Sequence, residues 1–182
     1  MIAGHIKTCR RNITGNLHLF IADIGNVHSI EVTAGEVSDI VMQADTYFWE
    51  IQADQDTIIK TTEVVNDKAG IYQHQVIFKI SGANQSINEL IDNINDSSPC
   101  GLAVIVMDSN GKAHLVGFNE TDQKDRPMKL SNHSFDSEEQ TNEFTLTGIN
   151  QELSLPTNTT INDYIKACLA AGSDIGFTPY VQ

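Results

Sequence analysis

Ile71-Tyr72-Gln73-His74-Gln75-Val76-Ile77-Phe78-Lys79-Ile80 is the stretch that decides the fold. Tyr72, His74, Val76, Phe78 and Ile80 share one face, and Gln73, Gln75 and Lys79 share the other. A period of two with one dry and one wet face is the pattern of a half-buried antiparallel strand. Its expected partner is the β-rich stretch from Tyr47 to Val65, interrupted at Asp54-Gln55-Asp56 and joined to it by the turn Asn66-Asp67-Lys68-Ala69-Gly70. Thr57–Val65 paired with Ile71–Ile80 would make a hairpin about 30 Å long at ~3.3 Å per residue. Ile58, Ile59, Val64, Val65 and Ile71 lie along this arm and need cover. Either a neighbouring subunit supplies it, or the arm folds back on its own domain.

Outward from the arm, further short β-type runs lie at residues 17–21, 27–32 and 37–42, with the turn Asp23-Ile24-Gly25-Asn26 after the first. Leu102-Ala103-Val104-Ile105-Val106-Met107 is unbroken apolar and predicts a central strand. The turn Asp108-Ser109-Asn110-Gly111 returns it through His114-Leu115-Val116-Gly117-Phe118. Residues 119–143 read as a polar, acidic loop, and Phe144–Ile149 alternates again.

Two helices are expected. Ser86-Ile87-Asn88-Glu89 has the form of a capping box, and Ile87, Leu90, Ile91 and Ile94 then make one apolar stripe of a core-packing helix. Pro156–Thr160 reads as a linker to a short C-terminal helix with the stripe Ile161, Tyr164, Ile165, Cys168 and Leu169, stopped at Gly172. The last ten residues read as a tail that docks on a neighbour. The expected fold is therefore mainly β, with a long hairpin arm and one core-packing helix in residues 1–156 and a helical segment at 157–182.

Composition narrows the function. The 182 residues carry 24 acids against 11 bases, a net charge of −13, and none of the segments 1–60, 61–118, 119–152 and 153–182 is basic. That field repels phosphate and argues against an affinity-driven nucleic-acid binder. No apolar run reaches the ~20 residues of a membrane span. The first eleven residues lack the apolar centre of a signal peptide, so an unsecreted, unlipidated protein is expected. Cys9, Cys100 and Cys168 are odd in number and far apart, which suits packing thiols rather than disulfides or a zinc ribbon.

Catalytic and metal motifs are thin. Asp108-Ser109-Asn110-Gly111-Lys112 resembles the start of a calcium loop, but Ala113 and Asn119 stand where an EF-hand needs Gly and Glu, so a hairpin turn is expected. None of the six histidines has metal-ligand spacing, and His74 and His114 read as satisfied sheet residues. Asp54 and Asp56, two apart, would share one face of a strand. Neither a catalytic residue nor a metal site nor a cofactor is expected. Low charge beside abundant Asn, Thr, Gln and Ser points instead to surfaces buried against copies of the same chain.

Four segments, in this order, resemble a phage tail tube protein of the kind found in phages and prophages of the Bacteroidetes. Cys9-Arg10-Arg11-Asn12-Ile13-Thr14-Gly15 is similar to the family's Cys-x-x-Asn-x-Gly-Gly opening, with Thr14 in place of the first Gly. Tyr47-Phe48-Trp49-Glu50-Ile51 precedes the arm, Leu102–Phe118 forms the strand–turn–strand block, and Asn142–Gly148 matches the closing strand. The resemblance covers residues 9–156; the helix at 161–172 falls outside it.

The resemblance implies a small β-sandwich or half-barrel with a flanking helix. Its subunits would close into rings, usually hexameric, that stack into a tube, with the hairpins of neighbouring chains joining the inner sheets around a channel. The expected location is the phage tail, after assembly in the host cytoplasm, and the expected partners are copies of itself and other tail proteins. The charge balance then suggests an acidic wall that lets DNA pass without specific binding. Strands within 47–80 would line it, with Asp54, Asp56 and Glu63 facing the lumen. Rival expectations are another virion component of the same fold (tail completion, connector or baseplate) and a non-viral ligand-binding β-sandwich.

Overall fold

The computed structural model describes residues 16–54, 56–65, 70–82, 85–97, 99–118, 125–151 and 154–179. The Cys9–Gly15 motif, the arm's turn at 66–69 and the last three residues lie outside them. Among the described residues the fold is mainly β, with three sheets and two helices.

The first sheet is built from β1 (Asn16–Asp23), β4 (Trp49–Ile51), β7 (Leu102–Asp108), β8 (Ala113–Val116) and β11 (Leu155–Pro156), in the order β11-β8-β7-β1-β4. The second contains β5 (Ile59–Val64), β6 (Tyr72–Ser81), β9 (Lys129–Asp136) and β10 (Thr141–Asn150), in the order β5-β6-β10-β9. The third and smallest contains β2 (Val27–Thr33), β3 (Glu36–Met42) and β12 (Thr178–Pro179).

The five-stranded sheet is the middle layer, because both of its faces are dry. Phe20, Ala103, Ile105 and Leu115 enter one core with Val37, Ile40 and Met42 of the smallest sheet. Leu19, Val104, Val106 and Val116, the alternate residues, enter a second core with Val76, Phe78, Phe144 and Leu146 of the four-stranded sheet. An unbroken apolar run is what a strand with two buried faces needs, and all of Leu102–Met107 is buried. Phe78 and Phe144 sit opposite one another in register and stack at 4.9 Å, worth about 0.5–1.5 kcal/mol beyond their burial.

Helix α1 (Gln85–Ser97) closes the second core with Ile87, Leu90 and Ile94, while Ile91 packs at its margin. The expected capping box is not its start: the helix begins one residue before Ser86, and Glu89 accepts from Gln85 Nε2 at 2.9 Å. Helix α2 (Thr159–Ala171) starts on Asn158, whose Oδ1 accepts from Ile161 N at 2.9 Å. It ends at Gly172, with φ +66, where Gly172 N and Ser173 N return to the carbonyls of Leu169 and Cys168.

Several expectations are corrected. The stretch 47–65 breaks at the expected interruption, but its two halves do not share a sheet: β4 belongs to the middle sheet and β5 to the four-stranded one. The hairpin of β5 and β6 is about 20 Å long, not 30 Å. It folds back on its own domain, since β6 pairs with β10 along its whole length and Ile58 is buried. Residues 119–143 are not all loop; β9 and the start of β10 lie among them. Pro156–Thr160 is not a free linker, because it carries the end of β11, the buried Thr157, and the cap and first residues of α2.

The tail docks on its own chain rather than a neighbour. Phe48 N and Ile175 N exchange bonds with each other's carbonyls at 2.9 and 3.3 Å, and β12 runs parallel to β3. Ile161, Ile165, Cys168 and Ile175 all belong to the first core. Tyr164 is only at the margin of its stripe, 40% exposed, with its hydroxyl donating to the Gly176 carbonyl.

Gly117 lets the two sheets approach. Its φ is +87, and a Cβ there would stand 2.6 Å from the Leu102 carbonyl oxygen. That oxygen accepts from Met128 N at 3.0 Å, the bridge that brings the chain from the middle sheet into β9.

Candidate functional site

The four-stranded sheet has one covered face and one open one. Its covered face is set by His74, Val76, Phe78 and Ile80, all buried as the alternation predicts. Register then assigns the open face: Ile59, Thr61 and Glu63 on β5 stand beside Ile77, Gln75 and Gln73 on β6. On β10 the same rows carry Thr145, Thr147 and Ile149. Small polar groups dominate it, with Ile59 50% and Ile149 45% exposed and one cross-strand ion pair, Lys79–Glu143, at 3.3 Å.

Among the described residues no strand pairs with the outer side of β5 or of β9. β5 leaves Val64 54% exposed and β9 leaves Phe135 46% exposed. Val65 and Ile71 are half-buried and extend the ladder by one bond of 3.0 Å from Val65 N to the Ile71 carbonyl. Unpaired strand edges with apolar side chains are templates for pairing with another chain.

The three lumen candidates do not form one cluster. Asp54 and Asp56 lie in the loop between β4 and β5, not on a strand, so they do not share a strand face. Asp54 is half-buried and tied down: its amide donates to the Lys79 carbonyl at 2.7 Å and its Oδ2 accepts from Ser81 Oγ at 2.5 Å. Asp56 is exposed in the left-handed region, φ +60. Glu63 is exposed opposite Gln73, six residues along β6 from Lys79, or about 20 Å away. The acids therefore mark the two ends of the β5 edge.

A polar end to the second core was not anticipated. Lys60 shares the inward side of β5 with the buried Ile58 and with Thr62, whose hydroxyl bonds His74 Nδ1 at 3.0 Å. Lys60 Nζ donates to Ser154 Oγ at 2.8 Å, reaching the middle sheet beside β11. Burial holds the Lys60 ammonium below its usual range, with Asp108 opposing. His74 is satisfied as expected, but His114 is not: its Nδ1 is buried with no partner among the described residues. Burial first, and then the Lys60 charge, lower the His114 pKa against the pull of Asp108. Lys60 standing between Ile58 and Thr62 at alternate positions of one strand is the signal that the sequence offers for this polar end.

Elsewhere the chemistry is structural. Asp108 Oδ1 accepts from the amides of Asn110 and Lys112 at 2.9 Å each, so the calcium-like motif is a hairpin turn. The described residues hold no group of three or more His, Cys, Asp or Glu that could bind a metal ion. No helix among them is long and apolar enough to cross a membrane. A shallow hollow of about 300 Å³ lies between α2 and the smallest sheet, but its aromatic wall, Tyr164 and Phe177, packs on itself at 5.7 Å.

No family model, no curated protein and no solved structure matches the chain.

Proposed function

We propose that this chain is a structural virion protein that assembles into stacked rings, forming a phage tail tube with an acidic channel for DNA. The observation that carries the proposal is the four-stranded sheet, with an open face and two edges that no strand among the described residues pairs. Three antiparallel pairings separate β5 from β9, so these two edges run in opposite directions. Rotation about an axis along the strands brings β5 of one copy antiparallel to β9 of the next, a head-to-tail contact that closes into a ring. Closure removes every edge of this sheet and turns its open face toward a channel. Other tail proteins would cap the tube, and six copies per ring is the expected number.

The excess of 24 acids over 11 bases supports passage of DNA without adhesion, since a wall poor in cations offers few counterion-releasing contacts. The test is negative-stain microscopy of the purified, concentrated protein. Stacked annuli with a central channel are expected; a protein that stays monomeric at every concentration would refute the proposal.

A further inference from the structure

The hollow of about 300 Å³ between α2 and the smallest sheet carries an unanswered negative charge. Asp39, half-buried on β3, lines it together with the aromatic wall of Tyr164 and Phe177. Phe177 also meets Phe48 edge-on at 5.8 Å, and the Tyr164 hydroxyl donates to the Gly176 carbonyl, so the wall is fixed in place. Tyr164 nevertheless stays 40% exposed. Asp39 spends Oδ1 on the Ile40 amide and the Thr178 hydroxyl, at 2.9 Å each. Directly across the β2–β3 pair stands Glu31, exposed, and like charges in that relation repel. No Lys, Arg or His among the described residues lies within ion-pair distance of either acid.

A planar cation suits such a hollow, because a guanidinium donates to a carboxylate while its face lies against an aromatic ring. Arg126, the one arginine among the described residues, is already engaged. The other two, Arg10 and Arg11, lie with Lys7 in residues 1–15, a stretch that holds none of the 24 acids. Lys68 and Lys124, the remaining bases outside the described residues, each follow or precede an aspartate directly, and Tyr180–Gln182, next after the hollow in sequence, bring no cation. We propose that this hollow is a guanidinium site that seats the Arg10-Arg11 step of the same chain. Arg10 stands six residues before Asn16, a reach of up to about 20 Å before its own side chain is added. Asn16 pairs with Asp108, at the start of the turn whose Lys112 meets Glu36 at 3.3 Å, and Glu36 opens the strand that holds Asp39. The hollow lies on the first-core side of the middle sheet and the four-stranded sheet on the other, so this site is separate from the edges that close the ring.

The experiment is disulfide trapping in the intact chain, because Cys9 is next to Arg10. Thr160 and Ser38 line the hollow from α2 and from β3, and the exposed thiol of Cys100 is first removed by Cys100→Ser. In that background Thr160→Cys and, separately, Ser38→Cys should each give an oxidised monomer that runs ahead of the reduced one on a gel. Thr61→Cys, on the open face of the four-stranded sheet, should not. Arg10→Gln with Arg11→Gln should slow trapping about two- to fivefold, and so should Asp39→Asn, the range set by an exposed ion pair. Added salt should slow it as well. A bond that joins two chains, trapping that appears only once Tyr180–Gln182 are deleted, an unchanged rate without the two arginines, or no trapping from either side of the hollow would overturn the proposal.

Discussion

Glu63 and Lys129 stand on the open face of one sheet at its two free edges, two residues out of step. The row that holds Lys129 runs through Thr147 and Gln75 to Thr61, and Glu63 is the next residue on that face beyond Thr61. Bringing Glu63 of one copy against Lys129 of the next therefore needs a two-residue stagger per subunit, and a stagger of fixed sense is what lets a sheet close.

Charge exchange at this junction tests the ring geometry. Glu63→Lys alone should place like charges opposite one another and raise the concentration needed for assembly by about 1.4- to 5-fold per junction, from a cross-strand pair worth ~0.2–1 kcal/mol. Glu63→Lys with Lys129→Glu should restore it. Light scattering against protein concentration gives the readout.

Channel lining predicts a different phenotype at Asp56. Asp56→Lys lies in an exposed loop and leaves the sheet edges intact, so tubes of normal appearance should form. DNA delivery should drop, and the defect should shrink as ionic strength rises, because added salt weakens phosphate–lysine contacts. Equal delivery by both proteins at low salt would place Asp56 away from the DNA path.

His114 should make the fold acid-sensitive near neutrality. Its folded pKa lies below 6.5, chiefly through burial, so the unfolded chain binds the proton first as pH falls. Stability is therefore unaffected above about pH 6.5 and declines as pH drops from there toward the lowered value. His114→Gln removes this decline. Between pH 7 and 5 the wild-type melting temperature should fall roughly 1–3 °C further than that of the variant, measured by calorimetry.

Asn162 should be as costly to lose as a core residue. Its Oδ1 accepts from Ala113 N at 2.9 Å and from Thr157 Oγ1 at 2.6 Å, and its Nδ2 donates to the Thr157 carbonyl at 3.1 Å, all buried. Asn162→Ala strands the Ala113 amide and should destabilise by about 1–3 kcal/mol in urea unfolding. Removing residues 157–182 also strips Ile161, Ile165 and Ile175 from the first core, and the truncated chain should fail to unfold cooperatively.

Where burial imposes a clear period, the sequence announced the element. β6 shows strict alternation, β7 has no polar residue before Asp108, and α1 repeats its isoleucines at helical spacing. β9 escaped notice for a physical reason. Its residues are exposed or half-buried, and a bulge between Leu130 and Asn132 shifts the phase of alternation midway, so Leu130 and His133 face the same side three residues apart. The division of 47–65 between two sheets was half legible, because Asp54-Gln55-Asp56 marks the interruption, whereas the bonds of Asp54 and Thr57 to Lys79 bend the chain from one layer to the next. Of the candidate site, the apolar arm and Glu63 were visible. The open edges were not, since an edge is defined by the absence of a neighbour that only the folded chain reveals.

The middle sheet has a thermal consequence. Leu19 and Phe20, adjacent along β1, serve opposite cores, as do Val104 and Ile105 along β7. Neither core can melt without unseating side chains that alternate with those of the other, so heat should find one transition here and no half-molten subunit. A particle made from such subunits would come apart at its joints long before any single piece lost its shape.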